Sequence, residues 1–183
     1  MVTIIGCDHI HQRKGQRCFG DERLLAFEAD QKGRFNEFIS QQQQLRNATL
    51  ICEEIEHGCD SFAKDLAESR GAIYANIDMP LEERDRRGVP LNYSDDDAPY
   101  TPEQIERWHF EREHFMVECV VARQQNVRES TLVICGRLHR NRVAEILRNH
   151  GINVEVMDLA ECDWFSDAWE DDYPLDFVEG QEK

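Results

Sequence analysis

Apolar residues recur along this chain in two rhythms. Short runs of β-branched and aliphatic residues, from Val2 (VTII) and over Thr49–Ile55, Ala72–Met79, Thr131–Cys135 and Ile152–Leu159, alternate with stretches where apolar positions return every three or four residues. Runs of this length suit strands buried on both faces, as in parallel sheets. The longer stretches predict helices. One runs from an Asp21 cap to about Asn47, with Leu24, Phe27, Phe35, Phe38, Ile39 and Leu45 on one face. Gly33, about 1 kcal/mol worse than Ala inside a helix, marks a place for it to kink or break. A second helix opens at Asp60 or Ser61, carries Phe62, Leu66 and Ala67, and closes at Gly71. Thr101-Pro102-Glu103-Gln104 is a capping-box start for a third, reaching about Gln125. A fourth runs from His139 or Arg140 to His150, carries Val143, Ile146 and Leu147, and ends at Gly151. Met79 to Tyr100, with Pro80, Gly88, Pro90, Pro99 and the acids Asp95 to Asp97, reads as an irregular connection of a length that often serves as a lid.

Strands alternating with helices predict an α/β fold: three layers, doubly wound, around a mainly parallel sheet of about five strands. Right-handed crossovers give the order 3-2-1-4-5, with the first and fourth strands adjacent. A chain of 183 residues is one domain's worth of core. We assign 1–159 to a single α/β domain and 160–183 to an acidic C-terminal extension. The extension holds Trp164, Phe165, Trp169, Tyr173 and Phe177 among its acids, more rings than a solvated tail carries. It reads as docking onto its own domain or onto a second copy of the chain, which would make a homo-oligomer. A basic protein partner is the other reading.

Composition narrows the classes. With 40% hydrophobic residues, 32% charged residues and a net charge of −16, the chain reads as a soluble acidic protein that does not bind nucleic acid through phosphates. Arg84, Arg86 and Arg87 fall together in the irregular connection, which leaves a local basic patch open. Seven cysteines at irregular spacing, without a CxxC pair, argue against a disulfide framework or a zinc ribbon. Cys7, Cys52 and Cys135 read as small buried apolar residues. The start MVTIIGCDHIH has no basic leader, and no apolar stretch is long enough for a membrane span, so we expect a cytoplasmic protein that does not enter membranes.

The chemistry gathers at predicted strand ends. Gly6 and Gly136 read as turn residues closing the first and fourth strands, each followed three positions later by a histidine, His9 and His139. The second strand ends in Glu53-Glu54, which must face opposite ways, and the third ends near Asp78. In the helix from Thr101, the apolar step Trp108 to Met116 passes through Arg112. A buried guanidinium needs a carboxylate, and the strand-end glutamates are the candidates. We therefore take His9, Glu53, Glu54, Arg112 and His139 as candidate catalytic residues, and Gly6, Asp8, His11, Asp78 and Gly136 as candidate ligand-binding or supporting residues. His57, His109, His114 and His150 fall outside this edge and read as surface residues. No dinucleotide glycine fingerprint, phosphate-binding loop, nucleophile elbow or His-Glu-x-x-His motif is present.

In order and spacing, Gly6 to His9, Glu53-Glu54, Arg112 with Met116, and Gly136 to His139 resemble the grouping of erythromycin esterases, ChaN-like proteins and TraB/Tiki proteins, here at minimal size. The resemblance covers most of residues 2 to 150 and implies hydrolysis, metal-dependent in the TraB/Tiki proteins and without a required metal in the esterases; ChaN-like members bind haem. The residues themselves leave three readings open. A histidine beside a carboxylate could activate water against a small-molecule ester or peptide-like substrate, with Arg112 or the second histidine stabilising negative charge. His9, His139 and one glutamate could instead form an open divalent-metal site. Third, the domain could bind a ligand or a protein partner without catalysis.

Overall fold

The computed structural model describes residues 1–14, 22–91, 100–125 and 130–165. The first strand, β1 (Val2–Cys7), is buried along its whole length, as its unbroken apolar run requires. It is followed by a single helical turn, α1 (His9–Gln12), and a long helix, α2 (Glu22–Leu45), that passes through Gly33 without a break. Then come β2 (Ala48–Glu53), α3 (Phe62–Arg70) and β3 (Ile73–Asn76). A short helix, α4 (Leu81–Arg87), precedes α5 (Pro102–Gln124), β4 (Ser130–Gly136), α6 (Arg140–Asn149) and β5 (Val154–Asp158). Helix ends follow local chemistry. Ser61 accepts from the Lys64 N–H, Gly71 closes α3 in the left-handed region at φ 65°, and Thr101 with Gln104 forms the capping box that opens α5.

All strand pairs are parallel, and the order is β3-β2-β4-β1-β5. The α/β class and the β1–β4 neighbourhood match expectation; the predicted 3-2-1-4-5 order does not, because β4 lies between β1 and β2. Both strands are apolar throughout, so burial alone does not rank them. At 1.5 Å per residue, the 24 residues of α2 span about 36 Å, enough to carry the chain past one extra strand of about 4.8 Å.

Two cores sandwich the sheet. On one face Val2, Ile4, Leu50, Cys52, Val133 and Cys135 pack under α5 and α6 through Met116, Val120, Val143 and Leu147. On the other face Ile5, Cys7, Ile51, Leu132 and Ile134 pack under α2 and α3 through Phe35, Ile39, Leu66 and Ala67. The helix after β1 therefore covers one face and the helix after β4 the other. That opens a crevice at the carboxyl ends of these neighbouring strands, where doubly wound sheets place their sites. Cys7, Cys52 and Cys135 are fully buried, and burial pushes the Cys52 thiol up to about 12.

Two sequence expectations change here. The connection from Met79 is not irregular throughout, since 81–87 form α4; residues 92–99, with Asp95 to Asp97 and Pro99, lie outside the described residues. The three arginines do not make a basic patch. Arg84 is buried against Asp78, Arg86 pairs with Glu83, and Arg87 reaches Glu83, Glu111 and Glu118. The start of the C-terminal extension does dock on its own domain: Trp164 packs against Phe38, and its carbonyl accepts from Gln31 Nε2 at 2.9 Å. Asp21, Trp169, Tyr173 and Phe177 lie outside the described residues. Among those described, no helix is long and apolar enough to cross a membrane.

Candidate active site at the carboxyl edge of the sheet

Alternation along β2 parts the two acids at its end. Glu53 points toward α3 and is fully buried; its carboxylate accepts from Ser61 Oγ (2.6 Å), Tyr74 Oη (2.8 Å) and Gln12 Nε2 (3.2 Å). Burial raises its pKa, and these three hydrogen bonds only partly offset the rise. Glu54, 1% exposed, points toward α5. Its Oε1 accepts from Arg112 Nη2 at 2.6 Å and its Oε2 from the Gly136 N–H at 2.9 Å. Burial alone would raise this pKa too, but His139, Arg112, His9 and the Gly136 N–H outweigh it and bring it to about 2. Glu54 is thus a fixed anion. The observed strand order makes this compact, because β2 lies directly beside β4.

The two imidazoles reach this carboxylate from different strands. His139 is 5% exposed, with Nδ1 3.0 Å from Glu113 Oε1 and Nε2 3.6 Å from Glu54 Oε1; the second is an ion contact too long for a hydrogen bond. Glu113, 2% exposed, also accepts from Arg142 Nη1 at 3.2 Å. Burial lowers the His139 pKa, Glu54 and Glu113 raise it more, and the net direction is upward. His9 is exposed and holds its Nδ1 2.7 Å from Gln12 Oε1.

Gly136 is where these groups meet. A Cβ at Gly136 would stand 3.4 Å from His9 Nε2, 3.4 Å from His139 Cδ2 and 3.5 Å from Glu54 Oε2. Neither Gly6 nor Gly136 has a positive φ, and both lie inside their strands, so neither is the turn glycine that the sequence suggested. Only Gly6 is required for space. At Gly6 a Cβ would come 2.5 Å from Cδ of Arg140, so that glycine admits the aliphatic part of an arginine and not a ligand.

The remaining candidates surround the cluster. Asp78 accepts from Arg112 Nη2 and Arg84 Nη2, both at 3.1 Å, and so holds the guanidinium that holds Glu54. The Asp8 carboxylate lies 4.0 Å from Arg137 Nη1. His11 departs from the expected supporting role. It is fully buried between Phe35 and Phe165, with ring centroids 5.9 and 5.6 Å away, and burial pushes its pKa down. In the single turn of α1, positions three apart share a face, so Gln12 joins His9 while His11 turns into the core.

Sequence reasoning missed Gln12, Glu113, Arg142 and His109. His109, read as a surface residue, lies 5.3 Å from the His139 ring, centroid to centroid. The available signal was its four-residue step to Glu113 beside Arg112, which puts a second acid on the buried side of α5. His57 likewise contacts the Asp78 carbonyl at 3.1 Å. A groove of about 740 Å³ between α5 and α6, lined in part by Tyr100, Ile105, His109, Glu113, Leu138 and His139, opens onto the cluster from this side.

Among the described residues, no group of three or more His, Cys, Asp or Glu is placed to hold a metal ion. The donor chemistry agrees. Glu54 Oε1 already accepts from the Arg112 guanidinium, so a cation at this carboxylate would face a positive charge held 2.6 Å from it.

Fold and site together define an all-parallel, doubly wound α/β protein with a buried Glu–Arg–His ion cluster at its carboxyl edge and one exposed imidazole beside it. No protein-family model, curated protein or solved structure matches the chain.

Proposed function

We propose that this protein is a metal-independent hydrolase acting on a small-molecule ester or peptide-like substrate. The observation that carries the reading is the convergence of His9 Nε2, His139 and Glu54 on the open face of Gly136. In it, His9 is the general base, the one imidazole of the pair exposed to solvent and substrate. It takes a proton from a water whose oxygen attacks the substrate carbonyl. Negative charge developing on the carbonyl oxygen is met by the Arg112 guanidinium and the imidazolium of His139, both held in place by Glu54 before any substrate arrives. The resemblance to the erythromycin esterase grouping rests on the same residues, and within it the donor set favours the chemistry that requires no metal.

The second reading is ligand or partner binding without turnover, which the groove beside His139 favours. A panel of activated esters and short peptides, assayed with and without a chelator, separates the two. Turnover that survives chelation and falls by roughly 10²- to 10⁴-fold in His9→Ala supports the hydrolase. Turnover indifferent to His9→Ala, or none across the panel, removes it and leaves the binding reading.

A further inference from the structure

We propose that Gln12 is a positioning residue that fixes neutral His9 in the Nδ1–H tautomer and so leaves Nε2, the nitrogen facing Gly136, as the acceptor. The Gln12 side chain is fully buried. Its Nε2 lies 3.0 Å from the Glu54 carbonyl oxygen and 3.2 Å from Glu53 Oε1, and its Oε1 lies 2.7 Å from His9 Nδ1. Amide orientation is settled by partners. A backbone carbonyl can only accept, so turning the amide round would set two acceptor oxygens against each other at Glu54. The amide oxygen therefore faces His9. It too can only accept, so Nδ1 must carry the hydrogen whether the ring is neutral or charged.

An imidazole side chain in water favours the other tautomer, so this state is imposed from outside the ring. The restraint is itself anchored. Both amide hydrogens of Gln12 are used, and Glu53, which takes one of them, is held by Ser61 and Tyr74. A line of hydrogen bonds thus runs from Tyr74 on β3 through Glu53 and Gln12 to the ring of His9. This gives Glu53, which does not face the Gly136 cluster, a part to play there: it acts through Gln12 on the tautomer of His9.

The inference deepens the hydrolase reading, since a general base needs a free lone pair toward the substrate, but it rests on hydrogen-bond direction and is read without turnover. The experiment is ¹⁵N-resolved NMR of the imidazole nitrogens in the full chain, with His9 assigned by loss of its signals in His9→Leu. In its neutral form, His9 is expected to show a pyrrole-type Nδ1 and a pyridine-type Nε2. Gln12→Met, similar in volume but without the amide acceptor, should shift the neutral ring toward Nε2–H. Wild-type His9 protonated at Nε2, or a tautomer ratio unchanged in Gln12→Met, overturns the proposal. The wild-type spectrum decides alone where the variant does not fold. Ester turnover together with an Nε2–H ring would leave the hydrolase standing and remove this inference; an Nδ1–H ring in a chain without turnover would do the reverse.

Discussion

At the end of β1, Gly6 lies beneath Arg140, and three residues later His9 is exposed, with its Nδ1 against a neutral amide. At the end of β4, Gly136 opens toward three polar groups, and three residues later His139 is buried between two carboxylates. The spelling is the same, Gly-x-x-His, yet the glycines look to opposite faces of the sheet. The cause is register. Gly6 pairs with Cys135, and Cys7 pairs with Gly136, so the two glycines are offset by one residue. Side chains alternate along a strand, and an offset of one exchanges faces. The two histidines accordingly part in surroundings: one is exposed with its Nδ1 against a neutral amide, the other is buried between two carboxylates.

The sharpest way to break this comparison is to remove each ring in turn. His139→Leu leaves Glu54 and Glu113 without the imidazole between them, though Arg112 and Arg142 remain. Loss of one member of a buried pair commonly costs 3–5 kcal/mol, and with those arginines present we expect about 3 kcal/mol. His9→Leu removes an exposed ring but leaves the buried Gln12 Oε1 without its donor, and should cost about 1–2 kcal/mol. Urea denaturation measures both. Equal costs would mean that the two rings are not differently placed in energy.

The glycines give the next largest contrast. Gly6→Ala puts a methyl into the Arg140 side chain, which also pairs with Asp158, and should cost roughly 1–3 kcal/mol as overpacking. Gly136→Ala meets its neighbours at ordinary contact distance, in a backbone conformation open to any residue, so its cost should stay below about 1 kcal/mol. The same methyl stands among His9, His139 and Glu54. If they act together on a substrate, a folded Gly136→Ala loses activity on the order of 10²-fold. Normal activity in that variant would place the reaction elsewhere.

These contrasts also mark what the sequence could say. Five strands were legible because each carries a short run of β-branched and aliphatic residues, although only the inner strands β1, β2 and β4 are buried on two faces and the edge strands β3 and β5 are partly exposed; the parting of Glu53 from Glu54 follows from strand alternation. The order of β1 and β4 was not legible, because either arrangement buries both. Nor was the division between the two Gly-x-x-His turns, which depends on a register set across 130 residues of chain. Two misses had signals. The run Leu81 to Arg87 carries acids in its first turn, arginines in its last and Gly88 beyond, a helix signature obscured by the flanking Pro80 and Pro90. Gln12 lies three residues after His9, but that spacing matters only if the turn after β1 is helical.

The smallest expected effect is the part of the His139 contribution that titrates. Although burial lowers its pKa, Glu54 and Glu113 raise the folded value above the unfolded one. Its stabilisation is therefore complete below the unfolded pKa of about 6.5 and is lost as pH rises through the folded value. Glu54 is the other end of the same contact and is counted once with it. Held near 2 against an unfolded 4.5, it contributes fully above 4.5 and loses its contribution as pH falls toward 2. The contact is then strongest between about 4.5 and 6.5. Glu53 runs the other way: raised by burial, it weakens the fold as pH climbs above 4.5. His139→Leu keeps Glu53 in place, so the difference between wild type and variant isolates the ring. Above about pH 6.5 the wild type should lose stability more steeply than His139→Leu, and the gap between their denaturation free energies should narrow. Parallel curves would mean that His139 carries no charge in the folded protein, and the two turns would then differ in burial alone.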